Sequence, residues 1–312
     1  MIAPITVTCG QTRRRPRTIP ASVTIGGLQR PVAVIGQKAL SNCDALEDIT
    51  IPEGVTTIEE RAFYNCGGIT SIYIPASVAS IAVDDRINMM YWGFGASAFA
   101  GCVGLAEIVV DGGNIDYYDA GGILYDASTD EPVCIPLGIS GHKFIADGVT
   151  SIPSYFFKGR VGLTGVTIPS SVTSIGDGAF EGCVNLTSVT ISSGTVSIGE
   201  GAFEGCSKLT DIILPSSLIS IGNNAFYDCG ALTSIILPSS VTSIGDNAFY
   251  DTALTTVYYC GDGTEFGYIA VGTGNDELIY ADVYYYSETR PAAGAYGYWY
   301  YDSTTMAGIK IL

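Results

Sequence analysis

The chain has 312 residues, 47% of them hydrophobic and only 14% charged, with a formal net charge of −17 at pH 7. That composition excludes a disordered polar chain and supplies ample material for a core. An acidic surface repels phosphate backbones, so nucleic acid is not an expected partner, and no apolar run reaches the ~18 residues that a membrane span needs.

Residues 1–20 read as an arm. Pro4, Gln11, Pro16 and the basic run Arg13, Arg14, Arg15 and Arg17 interrupt any secretory core. The arginines are expected to be solvated, with an anionic contact as the functional alternative. Val23-Thr24-Ile25 and Val32-Ala33-Val34-Ile35 flank Gly26–Arg30 and predict a hairpin, placed to cover the first apolar layer as an N-terminal cap. From Ala39-Leu40 and Cys43 onward a motif recurs, through Ile51-Pro52, Val55, Ile58, Ala62-Phe63 and Cys66, then Ile69, Ile72, Ile74-Pro75, Val78 and Ile81. Ile81 to Phe99 takes 18 positions where Ile58 to Phe63 takes 5, so 13 residues are inserted within 82–95. Met89, Met90, Tyr91, Trp92 and Phe94 lie there, and insertions in repeat arrays map to loops, often on a binding face. Further on, Ile123–Asp126 and Val133–Pro136 flank Ala127–Glu131 and predict a hairpin excursion. The motif resumes at Phe144-Ile145, Val149, Ile152 and Phe157, with Arg160 in the cysteine column.

Residues 166–250 are the most regular. Phe180, Phe203, Phe226 and Phe249 fall 23 apart, as do Ile175, Ile198, Ile221 and Ile244, and Cys183, Cys206 and Cys229. A fixed period of this size is the mark of a solenoid. After Val257 the repeat dissolves, and residues 258–312 hold eleven of the twenty tyrosines plus Trp299, which reads as a C-terminal cap. The expected organisation is therefore an arm and start of a cap over 1–27, a solenoid over 28–257 with an insertion at 82–95 and an excursion at 114–143, and a cap over 258–312.

Within one repeat, L-x-x-I-x-I alternates apolar and polar residues as a strand with one buried face, and the proline that usually follows ends it. V-x-x-I gives a second extended segment. Gly176, Gly199, Gly222 and Gly245 suit a corner with positive φ, and A-F-x-x-C fits a short helical turn or irregular layer. Column cysteines on strands ~4.8 Å apart point in parallel, which suits a disulfide badly, so they read as small buried apolar residues. There is no Cys-x-x-Cys pair and one histidine, His142; no metal site and no cofactor is expected.

The pattern I-P-x-x-V-x-x-I-G-x-x-A-F-x-x-C-x-x-L-T-x-I, over about 28–257, resembles the BspA-like leucine-rich repeats of bacterial surface proteins. The Ile123–Pro136 excursion and the Val283-Tyr284-Tyr285-Tyr286 end are similar to features of that family too. The resemblance implies the α/β leucine-rich-repeat class in a β-rich form: a right-handed solenoid of 23-residue repeats with short strands and short helical turns, capped at both ends. It also implies a secreted or cell-surface setting and a role in adhesion or protein binding, and it carries no shared catalytic residues. Arg160 and Thr252 in the cysteine column, Leu40 for Phe, and Ser192 for Pro depart from the pattern.

Function is expected where side chains face away from the core. The outward positions of the strands run from Glu47, Asp48 and Thr50 to Thr255, Thr256 and Tyr258 and are rich in hydroxyls. Tyr73, and the stripe Ile213, Ile236 and Tyr258, stand out because contiguous exposed apolar patches mark contacts, although Thr and Ile also simply favour strands. The inserted Met89, Met90, Tyr91, Trp92 and Phe94 resemble interface anchors, unless they fold back onto the solenoid. The expected protein is a monomeric, non-enzymatic binder of a protein or glycan at the cell surface. A structural spacer is the alternative and a carbohydrate-active enzyme the remote one.

Overall fold

Strands this short are unstable alone, and only stacking in register satisfies their backbone groups. The computed structural model describes residues 19–25, 27–82, 97–286, 298–300 and 310–311, in two units, Met1–Ser140 and Gly141–Leu312. In the second unit the repeats feed two kinds of parallel strand. The longer strands are Leu163–Ile168, Ser188–Ile191, Asp211–Ile213, Ser234–Leu237 and Thr256–Tyr259. Their register reproduces the sequence period, Val166 opposite Val189 and Val189 opposite Ile212. The shorter ones, from Ser151–Ile152 to Ala270–Val271, form a six-stranded ladder in which Ile175 faces Ile198.

Inside lies a column of fully buried rings, Phe157, Phe180, Phe203, Phe226 and Phe249, with successive centroids 4.8, 5.1, 5.4 and 5.2 Å apart and planes within 15°. The column cysteines are buried free thiols, as expected. They also do something the sequence did not suggest: Cys183, Cys206 and Cys229 each donate to the carbonyl of the phenylalanine one repeat earlier, at 3.0–3.2 Å. Burial pushes the Cys183 and Cys229 thiols up to about 12.

The first unit repeats this plan. Val34–Ile35, Thr57–Ile58 and Ser80–Ile81 form one parallel ladder, and Ser71–Ile74 pairs with Glu107–Val110 in another. Phe63 stacks on Phe99 at 5.7 Å, and Leu40 is buried where later repeats carry a ring.

Several expectations need correction. The N-terminal hairpin is tighter than predicted: Ser22–Ile25 pairs with Leu28–Pro31 around residues 26–27, where Gly27 has φ 80°. Ile25 pairs directly with Leu28, so the hairpin closes early and leaves Val34–Ile35 free to start the parallel ladder. The excursion is a three-stranded antiparallel sheet, Tyr117–Ala120, Ile123–Asp126 and Pro132–Cys134. It satisfies neighbouring edges, taking the Val110 N–H on Asp119 at 2.7 Å, the Ile108 N–H on the Gly122 carbonyl at 3.0 Å and the Ile81 N–H on the Tyr117 hydroxyl at 3.2 Å. The A-F-x-x-C segments are hydrogen-bonded turns, within the expected short helical turn or irregular layer; among the described residues the helices are Gly263–Phe266 and Asp276–Ile279, both after Tyr259. Phe144 does not enter the core and is 67% exposed.

The corner glycines are also explained differently. Gly176, Gly199, Gly222 and Gly245 do not have positive φ. A Cβ on Gly199 would lie 2.5–2.8 Å from atoms of Asp177 and Gly176, and one on Gly222 2.7–2.8 Å from atoms of Glu200 and Gly199. They are glycine because the preceding repeat's backbone occupies that space. Left-handed backbone falls elsewhere, at Gly178, Gly201, Asn224 and Asn247 with φ of 54–58°, and again at Gly182, Gly205, Asp228 and Asp251.

The solenoid of the second unit ends on one side chain. In each regular repeat the phenylalanine N–H donates to the alanine carbonyl of the next: Phe180 to Ala202, Phe203 to Ala225, Phe226 to Ala248, at 2.7–2.8 Å. Phe249 has no next alanine. The fully buried Asn275 accepts its N–H through Oδ1 at 3.1 Å and donates through Nδ2 to the carbonyls of Gly245 and Gly272 at 2.9 and 2.8 Å.

Candidate partner-binding face

Because side chains alternate across a strand, the long strands bury Val166, Val189, Ile212, Ile235 and Val257 and turn their neighbours outward. In the second unit one outward column reads Phe144, Thr167 and Thr190 and continues as Ile213. At the same repeat position the following strands carry Ile236, Tyr258 and Tyr284. Ile213 is 50% exposed; Ile236 and Tyr258 are half-buried, each flanked along the column by its neighbours. Tyr258 and Tyr284 stack with centroids 5.7 Å apart. The three predicted residues are thus brought onto one face. Tyr284 extends it, and was not foreseen because it lies 26 residues after Tyr258, out of step with the 23-residue period. At the other end Phe144 contacts His142 at 4.9 Å, and His142 Nε2 lies 2.9 Å from the Thr167 hydroxyl.

The adjacent outward column carries Ser188, Asp211, Ser234, Thr256 and Asp282. Between Ser188 and Tyr286 the long strands contain no lysine or arginine. The threonine column beside it is less available than its composition suggests. The hydroxyls of Thr187, Thr210 and Thr255 donate to the carbonyls of Thr164, Thr187 and Thr233 at 2.8–3.3 Å, so these groups bind the ladder rather than face a ligand.

Past the end of this face, Leu254, Thr255, Asp276, Glu277, Tyr280 and Asp282 line an open groove of about 420 Å³. The helix Asp276–Ile279 forms one wall, and the Asp282 N–H donates to the Thr255 carbonyl at 2.9 Å across its base. Glu277 Oε1 accepts the Asp251 N–H at 3.1 Å, while its Oε2 is buried without a hydrogen-bond partner.

In the first unit Tyr73 is 44% exposed on Ser71–Ile74, beside Val109. Its hydroxyl donates to the Asp111 carboxylate, which raises the phenol's pKa and lowers that of the carboxyl. Tyr73 therefore presents its ring, not its hydroxyl. Met89, Met90, Tyr91, Trp92 and Phe94 lie outside the described residues. No group of three or more His, Cys, Asp or Glu that could hold a metal ion occurs among the described residues.

Comparison with known proteins agrees with this architecture. A family model described as a BspA type leucine rich repeat region matches residues 22–84 and 150–271 in six copies. A crystal structure of a leucine rich cell surface protein from Faecalibacterium prausnitzii A2-165 is 32% identical, with a TM-score of 0.55, over 81% of this chain and 62% of that one. A leucine-rich repeat protein from Bacteroides ovatus ATCC 8483 is 25% identical, with a TM-score of 0.57, over 82% of this chain and 59% of that one. The chain thus spans about three-fifths of the length of each. No curated protein matches it.

Proposed function

Because the chain belongs to the BspA-type leucine-rich-repeat family, we propose that it is a non-enzymatic binding protein of the cell surface, with the Ile213–Tyr284 column as its contact face. The observation that carries this reading is the column itself. Packing of the core requires apolar residues only at the inward positions, yet Ile213, Ile236, Tyr258 and Tyr284 sit outward in successive repeats, the last three on paired strands. Small hydroxyl residues fill the equivalent positions at Thr167 and Thr190 without loss of register, so the strand does not require the apolar ones. A contiguous, partly exposed apolar patch of this kind supports a contact surface. The similarity to a leucine rich cell surface protein supports the setting.

The test is an array of extracellular proteins and glycans probed with the intact protein and with an Ile213→Ser/Ile236→Ser variant. Ile219→Ser serves as the control, since Ile219 is 48% exposed but lies before the short strand Ser220–Ile221. Saturable binding lost in the double variant and kept in the control is expected. Binding retained in the double variant removes the column from the function, and the absence of any saturable binding favours a structural spacer.

A further inference from the structure

We draw no further inference here: the strongest candidate, the apolar end of the second unit's short-strand ladder, where Val271 is 38% exposed although its column partner Ile244 is buried, is an open face for which nothing among the described residues shows what covers it.

Discussion

Replacing Asn275 by aspartate changes one atom group and should expose how the second unit's core is closed. The Oδ1 acceptor for the Phe249 N–H survives in the variant. The amide that donates to the Gly245 and Gly272 carbonyls at 2.9 and 2.8 Å becomes a carboxylate oxygen facing two acceptors. The position is fully buried. Burial among acceptors raises a carboxyl pKa by about 3 units or more, and each unit is worth ~1.4 kcal/mol. The variant should therefore lose about 4 kcal/mol of stability near pH 7.5. Its folded pKa lies above the unfolded value, so the protonated acid, which can donate again, is tolerated at low pH. The deficit opens as pH rises above ~3.9 and saturates beyond the raised folded value. Urea unfolding at a series of pH values, wild type beside N275D, reads this directly. A stability difference that stays flat between acid and neutral pH would refute the assignment of Asn275 as the buried donor that ends the ladder.

Four further outcomes are expected. Phe203→Ala removes a ring stacked on both sides, at 5.1 and 5.4 Å, and should cost about 3–5 kcal/mol in urea unfolding; a change under ~1 kcal/mol would contradict a stacked core. Gly199→Ala pushes a methyl into the Asp177 and Gly176 backbone and should destabilise by ~2 kcal/mol or more. By contrast Gly201→Asn should be nearly neutral in a melt, since Asn224 and Asn247 occupy the same left-handed position. Glu204 has its carboxyl pKa raised, first by desolvation and then by Glu181, with Glu200 and Asp228 adding and Lys158 opposing. A raised folded value means stability present at acid pH and lost as pH rises through that value. Glu204→Gln should accordingly raise the melting temperature at neutral pH and not at pH ~4, and an equal shift at both would argue against like-charge crowding.

The periodic part of this molecule was legible because burial asks for the same residue type at the same step. Phe180, Ile175 and Cys183 could be assigned inward from spacing alone, and the face bearing Ile213, Ile236 and Tyr258 followed from alternation. What spacing could not distinguish is why a glycine is a glycine: close approach at Gly199 and positive φ at Gly201 leave the same letter, and the first was mistaken for the second. Tyr284 escaped because two short helices, Gly263–Phe266 and Asp276–Ile279, intervene and put it 26 residues after Tyr258. Asn275 escaped for a deeper reason. It replaces a backbone carbonyl, and a side chain standing in for backbone has no counterpart in the other repeats. Phe144 has the composition of a core residue, but its outward register is set by pairing with Thr167 rather than by its own hydrophobicity. The acidic groove draws on Leu254, Asp276 and Asp282, which share no repeat position, so only the fold reveals it.

The hydrogen bonds between repeats have a consequence for inheritance. The Thr187 hydroxyl reaches Thr164, the Thr210 hydroxyl reaches Thr187, and the thiols of Cys183 and Cys206 reach the ring residue one turn before them. Every such bond looks back a single period, so a turn carries no memory of how many preceded it. Excising residues 176–198 would join Ile175 to Gly199 and restore each partner from the next copy, Ser217 then meeting Val172 where it had met Thr195. Such a shortened chain should fold with an unchanged β signature in circular dichroism. Copy number can therefore drift by unequal recombination without redesign of the interior, lengthening or shortening the face on offer, while the terminus bearing Asn275 must travel intact with whichever ring comes last.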